Sequence, residues 1–261
     1  MDSNARIMDT PSPSRRGLLL AAAAGSAAVG SVLPLASAFP ASAFPASAFP
    51  ASAPAPAPPA EAETVAGPVS PEEALRRLSA GNRRWRTYGQ EHPHESAFIR
   101  LRLTRAQHPF AIVLGCVDSR VPPELVFDQG LGDLLTVRSA GEVLDEAVLG
   151  SVAFGVLELE IPLLLVLGHQ SCGAVGAAIR AEETGEPLPA HIQYLADQIR
   201  PSIDHTRQGE ARIDATIDAH ARRTRDRLVA EPDIARRMAA GKLAVVAARY
   251  DLRDQRVRTL A

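Results

Sequence analysis

Two short segments of the chain carry the side chains that transition metals prefer. The first is Cys116-Val117-Asp118-Ser119-Arg120 and the second is His169-Gln170-Ser171-Cys172-Gly173, and the 261 residues contain only 2 cysteines. Zn²⁺ favours thiolate and imidazole ligands in a tetrahedral array, and three protein ligands leave one position for water, as a catalytic site requires. The sequence therefore predicts a mononuclear zinc site with Cys116, His169 and Cys172 as ligands.

Asp118 and Arg120 stand beside the first cysteine, close enough for a bidentate carboxylate–guanidinium pair. An ordinary loop salt bridge is the alternative. If Arg120 holds Asp118, the fourth metal position is free for water, and Asp118 can accept a hydrogen bond from the hydroxide formed there. If Asp118 turns onto the metal as a fourth ligand, the site closes. Zinc lowers the pKa of bound water from its high value in bulk solvent toward about 7. Two thiolates lower this pKa less than histidines do, so we expect activity to favour neutral to alkaline pH.

A disulfide is the alternative for two cysteines in an exported protein. Each of the two, however, stands near another strong ligand at metal-site spacing, and Cys172 begins a predicted helix, where the backbone field favours a thiolate. These positions favour metal binding.

Continuous apolar runs predict the strands that position the two segments. The runs over 110–115, 134–137 and 163–167 are apolar at successive positions, which indicates strands buried on both faces of a parallel sheet. Cys116 follows the first run and His169 follows the third. Because ligands collect at the carboxyl ends of parallel strands, we expect the two segments to converge.

Helical patterns lie around these strands. A capping box at Ser70–Glu73 with proline at the first helical position predicts a helix over 71–88. Further helical patterns cover 142–160, 172–184 and 190–240, the last interrupted at Pro201 and Pro232. A last strand is predicted over 242–249, followed by a polar turn and a short closing segment. The predicted fold class is α/β, with a parallel core of about four strands, a fifth strand at the edge, and flanking helices.

The N-terminal region differs in composition from the rest. Arg15-Arg16 precedes an apolar, alanine-rich stretch that reaches Ala36-Ser37-Ala38, which is typical of a twin-arginine export signal over 1–38. Alanine, proline and serine dominate 39–70, which predicts an extended linker, and Ala43 and Ala48 offer alternative cleavage points. An uncleaved membrane anchor is the alternative for the signal. The catalytic domain is then 71–261, and we expect no stable membrane insertion after cleavage.

The chain has a net charge of −2 and so lacks the excess of positive charge that is typical of nucleic-acid-binding proteins. The sequence therefore favours a small neutral or anionic substrate.

Four further motifs accompany the two metal segments: Gln107-His108-Pro109, Gly132-Asp133-Leu134, Val137-Arg138-Ser139-Ala140-Gly141 and Tyr250-Asp251. Together they make the chain from about Pro71 to Leu260 resemble the β-class carbonic anhydrase family. The resemblance implies reversible hydration of carbon dioxide to bicarbonate and a proton, with zinc on the three ligands and the Asp118–Arg120 pair beside its water. It also implies a homodimer or homotetramer, an N-terminal helical arm that embraces a partner, and active sites near the interface.

The same resemblance places Gln107 where family members hydrogen-bond substrate. Val121 and Leu135 are candidates for an apolar niche that takes carbon dioxide, with plain core packing as the alternative for each. A gated subset of the family carries tryptophan where this chain has Val113, so we expect an ungated enzyme with water at the metal. Relatives often have an aromatic residue at 135 and asparagine at 139 and 142, where this chain has leucine, serine and glutamate.

Two other functions fit the residues. The same scaffold could hydrolyse carbonyl sulfide or carbon disulfide, which are linear isosteres of carbon dioxide, and a non-catalytic zinc-binding protein belongs to a different class. The remaining histidines are expected at the surface: His92, His94, His108, His191, His205 and His220.

Overall fold

The computed structural model of the chain describes residues 69–261. The predicted export signal and nearly all of the predicted linker lie outside the described residues. The last two linker positions belong to the fold, since Val69 packs half-buried against the apolar core and the Ser70 hydroxyl accepts a hydrogen bond from the Glu73 amide, which caps the first helix.

Five strands form one sheet in the order β2-β1-β3-β4-β5. Their bounds are β1 Ala111–Cys116, β2 Leu134–Ser139, β3 Leu163–His169, β4 Ala244–Tyr250 and β5 Val257–Leu260. The first four are parallel, and β5 pairs with β4 in the antiparallel sense at the edge. The predicted α/β class, with a parallel core of four strands and a fifth edge strand, is confirmed.

Eight α-helices accompany the sheet in the described part of the chain: α1 Pro71–Arg86, α2 Ala97–Leu103, α3 Pro123–Val126, α4 Glu146–Leu157, α5 Gly173–Thr184, α6 Ala190–Ile199, α7 Gly209–Ala230 and α8 Pro232–Ala239. Short 3₁₀ turns at Ala140–Glu142 and Arg200–Ser202 complete the elements. Among residues 69–261, no helix has the length and apolar character that crossing a bilayer requires.

The two faces of the sheet bury alternate residues of each central strand, as the pleat of a strand dictates. Ile112 and Leu114 pack with α4, α7 and α8 on one face. Ala111 and Val113 pack with α1 and α3 on the other. A third apolar cluster, between α5, α6 and α7, contains Cys116 and Cys172. The metal segments therefore lie at the end of a sheet that is covered on both sides.

Strand β2 differs from the expectation of a strand buried on both faces. Among its six residues only Val137 is buried, because β2 forms the open edge of the sheet and only one of its faces is well covered. The apolar run alone could not distinguish an edge strand from a central one.

One helix boundary differs from that predicted, and one helix was not predicted. The helical pattern over 142–160 starts only at Glu146, because the Asp145 carboxylate accepts a hydrogen bond from the Val148 amide at 2.8 Å and caps the helix there. The segment before β1, which the sequence left without an element, contains α2, capped by Ser96.

The predicted N-terminal helix packs against its own sheet. Leu78 is 1% exposed within the cluster under α1. Asn82 fastens the helix further, since its amide donates to the Val126 carbonyl at 3.1 Å and its side-chain oxygen accepts from the Val257 amide at 2.9 Å. Within the described chain this helix is an integral part of the domain.

Candidate metal centre

The predicted ligands come together at the carboxyl end of the sheet. Cys116 is the last residue of β1 and His169 the last of the adjacent β3, while Cys172 precedes the first turn of α5. One ligand atom from each of these three buried residues lies within 4.8 Å of the others. The convergence follows from the parallel pairing of β1 with β3, which places both strand ends at the same edge.

The His169 ring is held in the orientation that a metal ligand needs. Its Nδ1 lies 2.9 Å from the carbonyl oxygen of Gln170, which can only accept, so Nδ1 carries the proton. Nε2 then has a free lone pair, and this atom is fully buried without a hydrogen-bond partner. A buried imidazole nitrogen beside two sulfurs is a donor arranged for a metal ion.

Both cysteines are free and buried, so the disulfide alternative is not realised. A hydrogen bond from the Cys172 thiol lowers the pKa of Cys116 to about 4, against the opposing effect of burial. The pKa of Cys172 rises, first because its thiol keeps the proton it shares with Cys116 and then because it is buried. The two sulfurs thus hold one proton between them, which metal binding would release.

Asp118 and Arg120 form the predicted bidentate pair. The guanidinium donates from Nε to Oδ1 at 2.9 Å and from Nη2 to Oδ2 at 2.7 Å, and the Arg120 amide donates to Oδ1 at 2.9 Å. Oδ2 lies 3.9 Å from His169 Nε2. The hydrogen bonds from Arg120 lower the pKa of Asp118 to about 2, so the carboxylate beside the metal ligands stays ionised and can only accept.

Arg138 was not singled out as a site residue from the sequence, but it braces the first metal segment. From β2 its Nε donates to the Cys116 carbonyl at 2.9 Å and its Nη2 to the Asp118 carbonyl at 2.8 Å. Cys116 ends β1, and the Asp118 carbonyl also accepts from the Val121 amide at 3.1 Å, so Arg138 supports the turn that follows the strand. The basic residue within Val137–Gly141 was the signal that could have found it.

The turn after β2 also reaches the centre. The Gly141 amide donates to Cys116 Sγ at 3.3 Å. The neighbouring Glu142 is 1% exposed, and burial, together with the negative charge of Cys116, raises the pKa of its carboxyl group well above the usual range. A carboxyl group with a raised pKa and an amide donor therefore lie in the turn beside Cys116.

The three predicted substrate residues do not come together within the chain. Gln107 is exposed in the segment before β1. Val121 is buried in the cluster under α1, and Leu135 packs half-buried against the cluster on the opposite face. Each apolar residue thus contributes to the core of its own face.

The expectation that the remaining histidines lie at the surface is wrong for His220, which is 3% exposed on α7. Its helix buries positions 216, 217, 220, 221, 224 and 228, a helical stripe that the sequence pattern contained. His94 is half-buried against Asp133, with its Nδ1 2.8 Å from the carboxylate. His92, His108, His191 and His205 are exposed as expected.

Comparison with known proteins agrees with this geometry. A family model described as carbonic anhydrase matches residues 111–257. Carbonic anhydrase 2 of Mycobacterium tuberculosis is 41% identical over 190 residues, which cover 72% of this chain and 92% of that protein. The carbonic anhydrase of Mycolicibacterium smegmatis is 42% identical over 190 residues, with the same coverage of 72% and 92%.

Solved structures show the same fold. The β-carbonic anhydrase CcaA superposes with a TM-score of 0.58 at 25% identity, over 71% of this chain and 86% of that one. One of the β-carbonic anhydrase structures from Sordaria macrospora gives a TM-score of 0.59 at 18% identity, over 72% and 96% of the two chains. The family match, these relatives and the Cys-His-Cys cluster agree, and the chain belongs to the β class of the carbonic anhydrase family.

Proposed function

We propose that Cys116, His169 and Cys172 hold a zinc ion and that Asp118 and Arg120 complete the active site for the reversible hydration of carbon dioxide to bicarbonate. One observation carries the proposal: the buried, unpartnered Nε2 of His169 faces two free sulfurs at the end of the sheet. Two thiolates and one imidazole suit Zn²⁺ and leave room for an exchangeable fourth ligand. When bound there, zinc supplies the Lewis acidity that lowers the pKa of a coordinated water.

The residues of the chain contribute orientation and charge. Asp118 is an ionised acceptor within 3.9 Å of His169 Nε2, so it is placed to accept a hydrogen bond from a group at the metal. Arg120 keeps that carboxylate in place through its two side-chain donors and is therefore a positioning residue. Because Asp118 is engaged by Arg120, the geometry supports the arrangement in which the fourth metal position is left to water.

The contacts of Gln107, Val121 and Leu135 with the substrate are also proposed. Gln107 would donate a hydrogen bond to bound substrate or product from the loop before β1, while Val121 and Leu135 would border the niche for carbon dioxide. Single replacements at Gln107 and Leu135, assayed for KM and kcat separately, test these roles.

Stopped-flow measurement of carbon dioxide hydration by the zinc-loaded protein tests the proposed function. We expect carbon dioxide hydration far faster than in buffer alone. This activity should disappear when a chelator removes zinc and return when zinc is added back. Carbonyl sulfide turnover, measured on the same protein, tests the alternative hydrolase activity. The relatives support neither this activity nor a non-catalytic zinc-binding role. Hydration no faster than in buffer would contradict the proposal.

A homodimer or homotetramer is part of the proposal. Strand β2 has one unpaired edge, and Phe154 and Leu157 of the nearby α4 are 51% and 41% exposed. An open strand edge beside apolar side chains favours association, and proteins of this fold from Sordaria macrospora are described as tetrameric. Light scattering coupled to gel filtration, which gives the mass in solution, distinguishes monomer, dimer and tetramer.

Export through the twin-arginine route is also proposed, on the basis of Arg15-Arg16 and the apolar stretch that follows. That route carries folded proteins, so the thiolates could be metallated before they meet an oxidising compartment. Fractionation of cells that express the full chain or its Arg15→Lys, Arg16→Lys double variant tests the route. Equal export of both would contradict it.

A further inference from the structure

His220 is a buried polar side chain that the proposed reaction does not use. It projects from α7 toward the 3₁₀ turn Ala140–Glu142, and its Nε2 lies 2.8 Å from the Gly141 carbonyl oxygen. Its Nδ1 lies 3.4 Å from Ser202 Oγ. Both ring nitrogens of His220 therefore have a partner inside the domain, which is what a buried imidazole requires.

The partners determine where the ring proton lies. A carbonyl oxygen only accepts, so Nε2 donates to Gly141, and Nδ1 accepts from the Ser202 hydroxyl. Burial lowers the pKa of His220 to about 4, so the ring is neutral near pH 7 and keeps this single tautomer. The imidazole thus acts as a fixed donor from α7 to the turn.

Gly141 links this donor to a metal ligand. Its carbonyl accepts from His220, while its amide donates to Cys116 Sγ at 3.3 Å. The turn requires glycine, because φ is +65° and an added Cβ would lie 3.0 Å from both Ala174 Cβ and Ile199 Cδ1. The backbone at Gly141 is consequently held from both sides, by α7 and by the packing of α5 and α6.

An amide that donates to a thiolate draws charge from the sulfur, and hydrogen bonds of this kind tune metal centres held by cysteine. We propose that His220 is a positioning residue of the metal centre, which holds the Gly141 turn so that its amide remains directed at the Cys116 sulfur. The inference rests on the proposed metal site and extends it to a side chain that does not contact the metal ligands.

The test compares four proteins: wild type, His220→Leu, His220→Gln and Thr216→Val. Leucine removes the donor, whereas the glutamine amide can replace Nε2 as donor to Gly141. Thr216→Val is the matched control, since Thr216 is buried on the same helix and its hydroxyl accepts from the Asp204 amide at 3.2 Å instead of contacting Gly141. Each protein is loaded with Co²⁺, and its affinity is measured by chelator competition and its thiolate-to-cobalt charge-transfer band by absorption.

We expect His220→Leu to bind Co²⁺ about tenfold more weakly than wild type, with the band at longer wavelength because a sulfur that loses its hydrogen bond gives up charge more easily. His220→Gln should return toward wild type in both measurements, and Thr216→Val should match wild type.

Equal affinity and an unchanged band in His220→Leu would overturn the inference. If that variant does not fold, His220→Asn replaces it, since the shorter amide loses the reach to Gly141, and the same criteria apply. Failure of the wild type to bind Co²⁺ or Zn²⁺ would instead contradict the proposed metal centre itself.

Discussion

The Arg120 guanidinium binds both oxygens of the Asp118 carboxylate, since Nε donates to Oδ1 at 2.9 Å and Nη2 donates to Oδ2 at 2.7 Å. This pairing lowers the pKa of Asp118 from 3.8 to about 2. The charge on the carboxylate therefore persists as pH falls and is lost only as pH approaches about 2. Loss of activity between pH 7 and pH 5 must have another origin, which leaves Asp118 as a constant acceptor over the working range.

Asp118→Asn should keep the metal and lose most of the activity. The amide is similar in size but offers a donor where the carboxylate accepts, and it weakens the bidentate pair with Arg120. We expect kcat/KM for carbon dioxide hydration to fall by about 10²-fold or more, with metal content unchanged. Stopped-flow hydration and metal analysis on the same preparation measure both quantities.

Asp226→Asn is the matched control for this change, because Asp226 is an exposed carboxylate on α7 paired with Arg225. It should retain full activity. Asp118→Asn with activity near that of wild type would remove Asp118 from the active site.

Cys172→Ala should lose the metal itself. Only Cys116 and His169 remain as protein ligands, and the tetrahedral donor set that Zn²⁺ requires is incomplete. We expect metal content well below one ion per chain after dialysis, against about one for wild type, and no hydration activity above buffer. Since bound metal stabilises the folded state, the variant should also lose the rise in melting temperature that zinc gives the wild type. A full complement of metal in Cys172→Ala would show that this sulfur is not a ligand.

The sequence predicted the sheet and the ligand set because both depend on local pattern. Continuous apolar runs identify buried strands, and the segment that follows each strand is bound to lie at the edge where parallel strands end. That reasoning places Cys116 and His169 together without any knowledge of side-chain contacts. It also places Asp118 and Arg120, which need only two residues of separation to pair.

What the sequence could not predict depends on long-range contacts. Arg138 contacts the first metal segment from β2 and His220 contacts the Gly141 turn from α7, and neither residue type indicates which backbone carbonyl it will meet. The face on which Leu135 lies depends on the register of β2, and the position of Val121 depends on the course of the loop between β1 and α3, neither of which the apolar runs fix. Asp145 delayed the start of the predicted helix through its own N-terminal cap, a signal present in the sequence that the longer helical pattern obscured.

Gly141→Ala should destabilise the domain. The residue has φ of +65°, and the new methyl group would meet Ala174 and Ile199 at 3.0 Å. Strain of this kind costs about 1–3 kcal/mol in the free energy of unfolding, and urea denaturation measures it. Gly150→Ala is the matched control, since it lies on α4 with nothing within 4 Å of an added Cβ, and it should leave stability unchanged or raise it by about 0.4–1 kcal/mol. Similar stability of the two variants would contradict the strain assigned to Gly141.

The buried His220 should make the domain less stable in mild acid. Burial is the main cause that lowers its pKa from 6.5 to about 4, and the nearby charges of Arg223 and Arg227 act in the same direction. Between these pH values the unfolded chain takes up a proton at this position and the folded chain does not, so stability falls as pH falls through this window and levels off below it. At 1.36 kcal/mol per pKa unit the loss is about 3 kcal/mol by pH 4. The measurement is urea denaturation of metal-free wild type and His220→Gln from pH 7 to pH 4, in which contributions from other groups cancel in the difference. The difference in the free energy of unfolding between wild type and His220→Gln should shrink as pH decreases. If the two proteins lose stability in parallel as pH decreases, His220 does not titrate as its burial requires.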